Sequence, residues 1–588
     1  MLEISFIKKM KNFIKTTLAV VCGFVLTFIL CMFVLGGMFR AILSSDETPV
    51  LPKEGVLVVN MSQFTLGEQS TGSDPASMLQ GVDTKTVGIW EAVQAVNMAA
   101  EDPAVSFIYL KPDGNLSSTA ALEEFRTALK NFRQNSSKPV ISFIESPSTG
   151  SYYMASVADK VYMSSYIGAS TTVTGVSSQM IFLGDLLHRL GVNIQLIRHG
   201  KYKSAGEMYT RGSSSAENRE QYQRLVDSMW ETLGNEIAQS RGITMDELNQ
   251  TIDDMKLSGP QDFVDCKLVD ELLTKSELEE KLTIMAQKDK YSEVKSIAFA
   301  DYVSAKVLPS KGKNKIAIIY ANGEIVDGAD KAQIAGDRFA ALVSKVAKDS
   351  TVKAVVLRVN SPGGSVLASE KIKTELDLLK AAKPVIASYG DYAASGGYWI
   401  SNNCDRIFSN GATLTGSIGV FGLVPDFSKA ARDIAHVGVE TVSSNKHGDI
   451  YGLMRPLDSS EYAFMLKGIE EVYEKFISTV SEGRSIPKET VDAIGQGRVW
   501  TGADALTINL VDEIGTLEDA IHYAAECAGD SDLSNWNIKA YPKPQTQMEQ
   551  ILSMLNKGTD TEEAMAKIYK DITSPKVLAR MDTELKIK

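Results

Sequence analysis

Asp391-Tyr392-Ala393-Ala394-Ser395-Gly396-Gly397-Tyr398-Trp399 is the stretch that decides the fold. The apolar run Pro384-Val385-Ile386-Ala387-Ser388-Tyr389 just before it predicts a buried strand. Tyr398-Trp399-Ile400 opens an apolar-rich run of helical character. A serine between strand and helix, flanked by Ala and Gly, combines a reachable hydroxyl with nearby backbone N–H groups. A serine nucleophile needs both, the second for the oxyanion that forms on attack. Taken alone, the same residues also read as a tight turn of small side chains.

Outward from this stretch the chain alternates apolar strands with amphipathic helical runs, which predicts an α/β protein. Strands are expected at Gly55 to Asn60, Ala104 to Leu110 and Pro139 to Ile144, with a helix from Ala120 to Phe132. A second copy starts near Lys315. Ile316 to Tyr320 answers the first strand, Val352 to Val359 the second, and Ile372 to Leu379 the helix. Lys383-Pro384-Val385-Ile386 answers Lys138-Pro139-Val140-Ile141, Leu510-Val511-Asp512-Glu513 answers Leu268-Val269-Asp270-Glu271, and the helical run Tyr462 to Arg484 answers Gln221 to Arg241. The predicted organisation is a tandem duplication over residues 55–290 and 315–530, with a charged tail, 535–588, read as a cap or mobile end. A domain-sized repeat unit argues against a solenoid.

A chain of 588 residues needs more than one core. Its formal net charge of −12 argues against nucleic acid as a partner. The five cysteines show no CxxC spacing and the five histidines no HExxH pair, so no metal site is expected. Thr16 to Phe39 carries no charged residue. At ~1.5 Å per residue it reaches ~36 Å, enough for a ~30 Å hydrocarbon core. Lys8, Lys9, Lys11 and Lys15 precede it, which predicts residues 1–15 in the cytoplasm, 16–39 as an anchor, 41–54 as a linker, and the rest outside. The alternative, a cleaved signal peptide, fits less well, because Leu35-Gly36-Gly37-Met38 is a poor cleavage match.

The two copies differ where chemistry is expected. Matched on the Lys-Pro-Val-Ile pair, Ser395 falls opposite Gly150. After the second strand, the second copy has Asn360-Ser361-Pro362-Gly363-Gly364-Ser365 and the first has Lys111-Pro112-Asp113-Gly114-Asn115-Leu116. A Pro-Gly-Gly turn leaves N–H groups open to a ligand, as an oxyanion hole requires, and it also reads as a plain helix-start turn. The serine needs a base, and no histidine lies near either motif in sequence. The first copy offers Lys203 in Tyr202-Lys203-Ser204-Ala205, where the second, around Ile450, has no lysine. A lysine serves as a base only when neutral, its pKa brought from ~10.4 to roughly 7–8 by burial or nearby positive charge. Alone, Lys203 also reads as a solvated surface residue.

These motifs together resemble the signal peptide peptidase A (protease IV) family in its long, tandem form. They are the lysine motif, Ser361-Pro362-Gly363-Gly364-Ser365, Ala393-Ala394-Ser395-Gly396-Gly397-Tyr398-Trp399 and Leu414-Thr415-Gly416-Ser417-Ile418-Gly419. The resemblance implies tandem Clp-protease/crotonase-like α/β domains after one N-terminal transmembrane helix. It implies a Ser/Lys dyad across the copies, with Ser395 as nucleophile, Lys203 as general base and Ser417 orienting the lysine. Gly364 and Gly396 would supply the oxyanion hole, with Gly363 shaping the turn. It further implies a bacterial inner-membrane, extracytoplasmic homotetramer that degrades signal-peptide remnants without a cofactor. Gly206 and Tyr392 depart from the family's usual residues. A crotonase-type acyl-CoA enzyme and a non-catalytic membrane scaffold are the alternative functions.

Overall fold

A computed structural model describes residues 49–71, 85–114, 117–168, 171–308, 312–330, 333–544 and 577–581, together with residues 15, 17–18, 20–30 and 32. Residues 20–30 are helical, and their large side chains stand in the open, Phe24 at 75% exposure. Among the described residues no helix is long and apolar enough to cross a membrane. Much of the span expected at 16–39, most of the linker expected at 41–54, and the helical patch at 561–572 lie outside the described residues.

Two parallel sheets carry the fold. In the first copy the strand order is Glu271–Leu273, Lys160–Ser164, Val140–Ile144, Val105–Lys111, Gly55–Asn60, Ser296–Ala298. In the second it is Glu513–Ile514, Arg406–Ser409, Val385–Ala394, Val352–Ser361, Lys315–Asn322, Asn537–Tyr541. The second sheet also carries Leu414–Gly416 and Val499–Thr501 beside the end of Val385–Ala394, but its other six strands match the first sheet position for position, so the duplication is visible in topology as well as in sequence. Both sheets end on a strand beyond the sequence-read bounds of its copy. Ser296–Ala298 and Asn537–Tyr541 are short edge strands in which only Ile297 is buried, so no apolar run marked them.

The central strands read as continuous apolar runs because both faces of a parallel sheet are covered. Val355, Val356 and Leu357 are all fully buried. One contiguous core runs from Leu57 and Val59 in the first copy to Ile318, Val356 and Ile386 in the second. The copies therefore share apolar surface. They also share buried polar contacts. Arg358 donates to Glu68 and Glu124 of the first copy, each at 2.7 Å. Glu123 accepts the backbone N–H groups of Gly411 (2.9 Å) and Ala412 (3.0 Å).

A third, smaller sheet belongs to both copies. Asn193–His199 of the first copy pairs antiparallel with Val420–Asp426 of the second, in register from His199 opposite Val420 to Asn193 opposite Asp426. Beyond Val420–Asp426 come Val577–Arg580 and then Gly363–Ser365. The charged tail thus enters two sheets.

Candidate active site

Ser395 stands where the strand Val385–Ala394 stops and the helix Gly396–Ser401 starts. Its backbone is held at φ 56°, ψ −112°, outside the regions an L-residue prefers. Two bonds keep it there. Its N–H donates to the Gly416 carbonyl at 2.8 Å, and its carbonyl accepts from Trp399 N–H at 2.8 Å. Trp399 itself is fully buried and packs at a tilt against Phe476, centroids 4.4 Å apart. The strained turn is therefore anchored from both sides.

Lys203 arrives from the other copy. The strand Asn193–His199 delivers the chain to Gly200, where a positive φ of 97° turns it. Tyr202 N–H then donates to Gln496 O at 2.9 Å, and Arg198 donates to Lys203 O at 2.7 Å. The side chain points inward and is 1% exposed, so the surface-lysine reading does not hold. Its Nζ lies 2.9 Å from Ser395 Oγ, 2.9 Å from Ser417 Oγ and 3.2 Å from Ser417 O. Ser417 follows the strand Leu414–Gly416, which pairs with the strand leading to Ser395. Its Oγ also lies 3.4 Å from the Gly497 carbonyl, to which it can donate.

The three glycines named from sequence meet beside Ser395. Gly363 and Gly364 take φ of 98° and 152°, backbone that a side chain resists. A Cβ on Gly364 would collide with the Ile325 carbonyl, and one on Gly396 would come 3.1 Å from Gly364 N. Gly396 is the first residue of its helix, where an N–H has no intrahelical acceptor. The backbones of Gly363, Gly364 and Gly396 are thus packed against one another, and Gly396 follows Ser395 directly in the chain.

Sequence reasoning missed Gly497. A Cβ there would come 2.5 Å from Lys203 N and Cβ, so only glycine lets the lysine stem pass. Gly419 borders the same stem, its added Cβ 3.2 Å from Lys203 Cδ. A glycine in the turn Gln496-Gly497-Arg498 was the available signal, but nothing local tied it to a residue almost three hundred positions earlier.

The first copy is altered in the matching places. Tyr152 Oη donates to Leu268 O at 2.6 Å, as Tyr398 Oη donates to Leu510 O at 2.8 Å. Matched on that bond, the residue opposite Ser395 is Thr149 rather than Gly150, because the spacing between the copies shifts by one at the strand end. Thr149 Oγ1 accepts from Thr174 N–H at 3.0 Å and sits 3.3 Å from Thr172 O. Asp113 stands near the place of the Gly-Gly turn and accepts the N–H groups of Glu145 (2.5 Å) and Ser146 (3.3 Å). Burial raises the pKa of its carboxyl.

A cavity of roughly 200 Å³ opens beside Lys203 and Ser417, with Met180, Phe182, Met208, Leu225 and Leu414 in its walls. Gly206, one of the two departures, also borders it and has φ 96°. Tyr392, the other, packs beside Ala394 and Leu414. Away from the site, His447, Asp458 and Glu461 bring ligand-type atoms within 4.8 Å of one another, but Arg455 already pairs with Glu461 at 2.7 Å.

The sequence pattern of peptidase family S49 matches residues 132–289 and 377–530, one region in each copy. Protease 4 of Haemophilus influenzae is 33% identical over 96% of this chain and 92% of its own length. Protease 4 of Salmonella typhi is 34% identical over 79% and 76%. A chloroplastic serine protease SPPA of Arabidopsis thaliana is 30% identical over 82% and 72%. Among solved structures, ClpP1 from Listeria monocytogenes covers 34% of this chain and 92% of its own, at 16% identity and a TM-score of 0.22.

Proposed function

The chain belongs to peptidase family S49 and is a serine protease, and from that premise we propose a Ser/Lys dyad made by the two copies jointly. The observation that carries the reading is the buried Lys203 Nζ at 2.9 Å from both Ser395 Oγ and Ser417 Oγ. In this mechanism Lys203 is neutral, and burial is the force that disfavours its ammonium form. Ser417 donates or accepts as needed to aim the amine. The Ser395 hydroxyl passes its proton to Nζ as Oγ attacks the peptide carbonyl carbon. The resulting oxyanion accepts from the N–H groups of Gly364 and Gly396, with Gly363 holding the turn. The ammonium returns the proton to the leaving amine. Water then gives a proton to the same amine and attacks the acyl-enzyme, which frees the acid and restores Ser395.

The proposal extends to Clp-protease/crotonase-like domains over 55–290 and 315–530, apolar peptides such as signal-peptide remnants as substrates, an N-terminal anchor, an extracytoplasmic site and a homotetramer. The apolar walls of the cavity support the substrate class, and the charge-free stretch with its exposed helical residues supports the anchor.

The test is covalent labelling by a fluorophosphonate. The wild-type chain should label at Ser395, Ser395→Ala not at all, and Lys203→Ala ~10³-fold more slowly. Equal labelling of wild type and Lys203→Ala would remove the lysine from the mechanism.

A further inference from the structure

The turn Gln496-Gly497-Arg498 holds the lysine and the serine that aims it at once. Gln496 O accepts from Tyr202 N–H at 2.9 Å, one residue before Lys203. Gly497 lies against the lysine's own backbone, and its N–H donates to Ile418 O at 2.7 Å. Its carbonyl lies 3.4 Å from Ser417 Oγ, and Arg498 O accepts from Ser417 N–H at 2.7 Å. Gln496 takes φ 54° and Gly497 φ 81°, so two successive residues are left-handed, the first with a side chain that resists it. Such a turn persists only where its surroundings hold it.

Tyr473 supplies that hold. It is buried on the helix Ser459–Arg484. Its Oη accepts from Gln496 N–H at 3.2 Å and donates to Asp492 Oδ1 at 2.6 Å. A phenol has one proton, so the bond to Asp492 leaves the oxygen lone pairs to Gln496. Asp492, on the helix Lys488–Ile494, also accepts from Gln496 Nε2 at 2.5 Å. The face of the Tyr473 ring stacks on His199, centroids 4.1 Å apart. His199 ends the strand that delivers the lysine, and a Cβ on the next residue, Gly200, would come 2.5 Å from Gln496 O. One side chain of the second copy therefore grips the turn with its hydroxyl and the lysine loop with its ring. The walls of the cavity beside Lys203 include Gly497 but not Tyr473, Asp492 or Gln496.

We propose that Tyr473 is a positioning residue for the general base. Through Gln496 and the turn it holds, it sets where Lys203 Nζ stands between Ser395 and Ser417, without touching substrate. Asp492 fixes the direction of the Tyr473 hydroxyl and so belongs to the same device. The inference rests on the protease reading of this site. Because the device lies outside the cavity walls, its loss should slow the chemistry and leave substrate binding as it was.

Full-length wild type, Tyr473→Phe and Asp492→Ala would be assayed with a chromogenic peptide ester and timed for Ser395 labelling by a small fluorophosphonate. Both substitutions would also be placed in the Lys203→Ala chain. Tyr473→Phe keeps the ring on His199 and removes only the hydroxyl. It should lower kcat about tenfold, the effect of one lost hydrogen bond, and leave KM within about twofold. Asp492→Ala, which frees the hydroxyl and the Gln496 side chain, should lower kcat in the same way. In the Lys203→Ala chain neither substitution should change the residual labelling rate, because no amine is left to place. A residue that merely supported the fold would slow labelling in both backgrounds. Unchanged kcat in both variants, a loss confined to KM, or an equal loss with and without Lys203 would overturn the proposal. Should Tyr473→Phe not fold, Asp492→Ala with and without Lys203 decides on the same terms. A wild-type chain that does not label at Ser395 would overturn the protease reading and the inference with it, whereas a labelled wild type with unaffected variants overturns the inference alone.

Discussion

Gly497 touches the backbone of Lys203 so closely that an added Cβ would come 2.5 Å from the lysine's own N and Cβ. The two residues belong to different copies, and the contact sets how far the lysine reaches toward Ser395. Gly497 also has φ 81°, so a substitution meets backbone strain as well as a clash. Gly497→Ala should push the Lys203 stem away and lower kcat/KM by ~10² or more, because misplacement by about 1 Å costs that much. Steady-state kinetics on a peptide ester checks it, with fluorophosphonate labelling to show which step slows.

Ser417→Ala removes one of the hydroxyls within 2.9 Å of Lys203 Nζ. One hydrogen bond of ~1.4 kcal/mol corresponds to about tenfold in rate. The expected loss is therefore far smaller than for Ser395→Ala or Lys203→Ala. A pH–rate profile of the variant should keep its shape and move along the pH axis, because the amine has lost a neighbour and not its function.

Arg358 is a fully buried charge that joins the copies. It is 1% exposed and faces Glu124, itself 1% exposed, and Glu68. Arg358→Met would leave two carboxylates buried without their cation, a change that costs ~3–5 kcal/mol. Denaturant unfolding should show that loss. Because Glu124 also accepts from Asn410 and Leu517, the loops on the Ser417 side should loosen too, which hydrogen exchange would register at residues 410–417.

Glu123 makes stability depend on pH in a definite direction. Burial, and after it the nearby Glu236 charge, push its carboxyl up to about 8 from an ordinary 4.5. Burial raises Glu91 and Asp391 in the same direction. A carboxyl raised in the folded state holds a proton that the unfolded chain releases. Stability should therefore fall as pH rises from about 4.5 to about 8 and level off above that. Melting temperature measured from pH 5 to 9 should decline across this window. Glu123→Gln, which stays neutral, should flatten the decline.

The sequence carried the fold where strands are buried on both faces. Val352 to Val359 and Val385 to Tyr389 read as strands because nothing polar interrupts them, and the paired Lys-Pro-Val-Ile and Leu-Val-Asp-Glu runs exposed the duplication. It failed at edges. Ser296–Ala298 and Asn537–Tyr541 alternate weakly, and Val577–Arg580 gains its order only from neighbours more than a hundred residues away. At the site, Ser395 and the Gly-Gly turn were legible because their chemistry is local. Lys203 was legible only through the resemblance and through its absence from the second copy. The cross-copy contacts of Gly497, Glu123 and Arg358 had no local signature at all. The residue opposite Ser395 was misplaced by one because the copies differ in spacing at the strand end, which the shared tyrosine bond reveals.

The central claim is that one buried amine from the first copy activates one hydroxyl from the second. The pre-steady-state rate of acyl-enzyme formation from a peptide ester, followed from pH 5 to 10, tests it most directly. For the wild type the account predicts a single ionisation, with the rate rising as Lys203 loses its proton and then reaching a plateau. In Lys203→Ala it predicts that this ionisation disappears and the rate falls by ~10³ or more. A Lys203→Ala chain that keeps a near-normal rate and the same pH profile, while Ser395→Ala is inactive, would contradict it and place the base elsewhere.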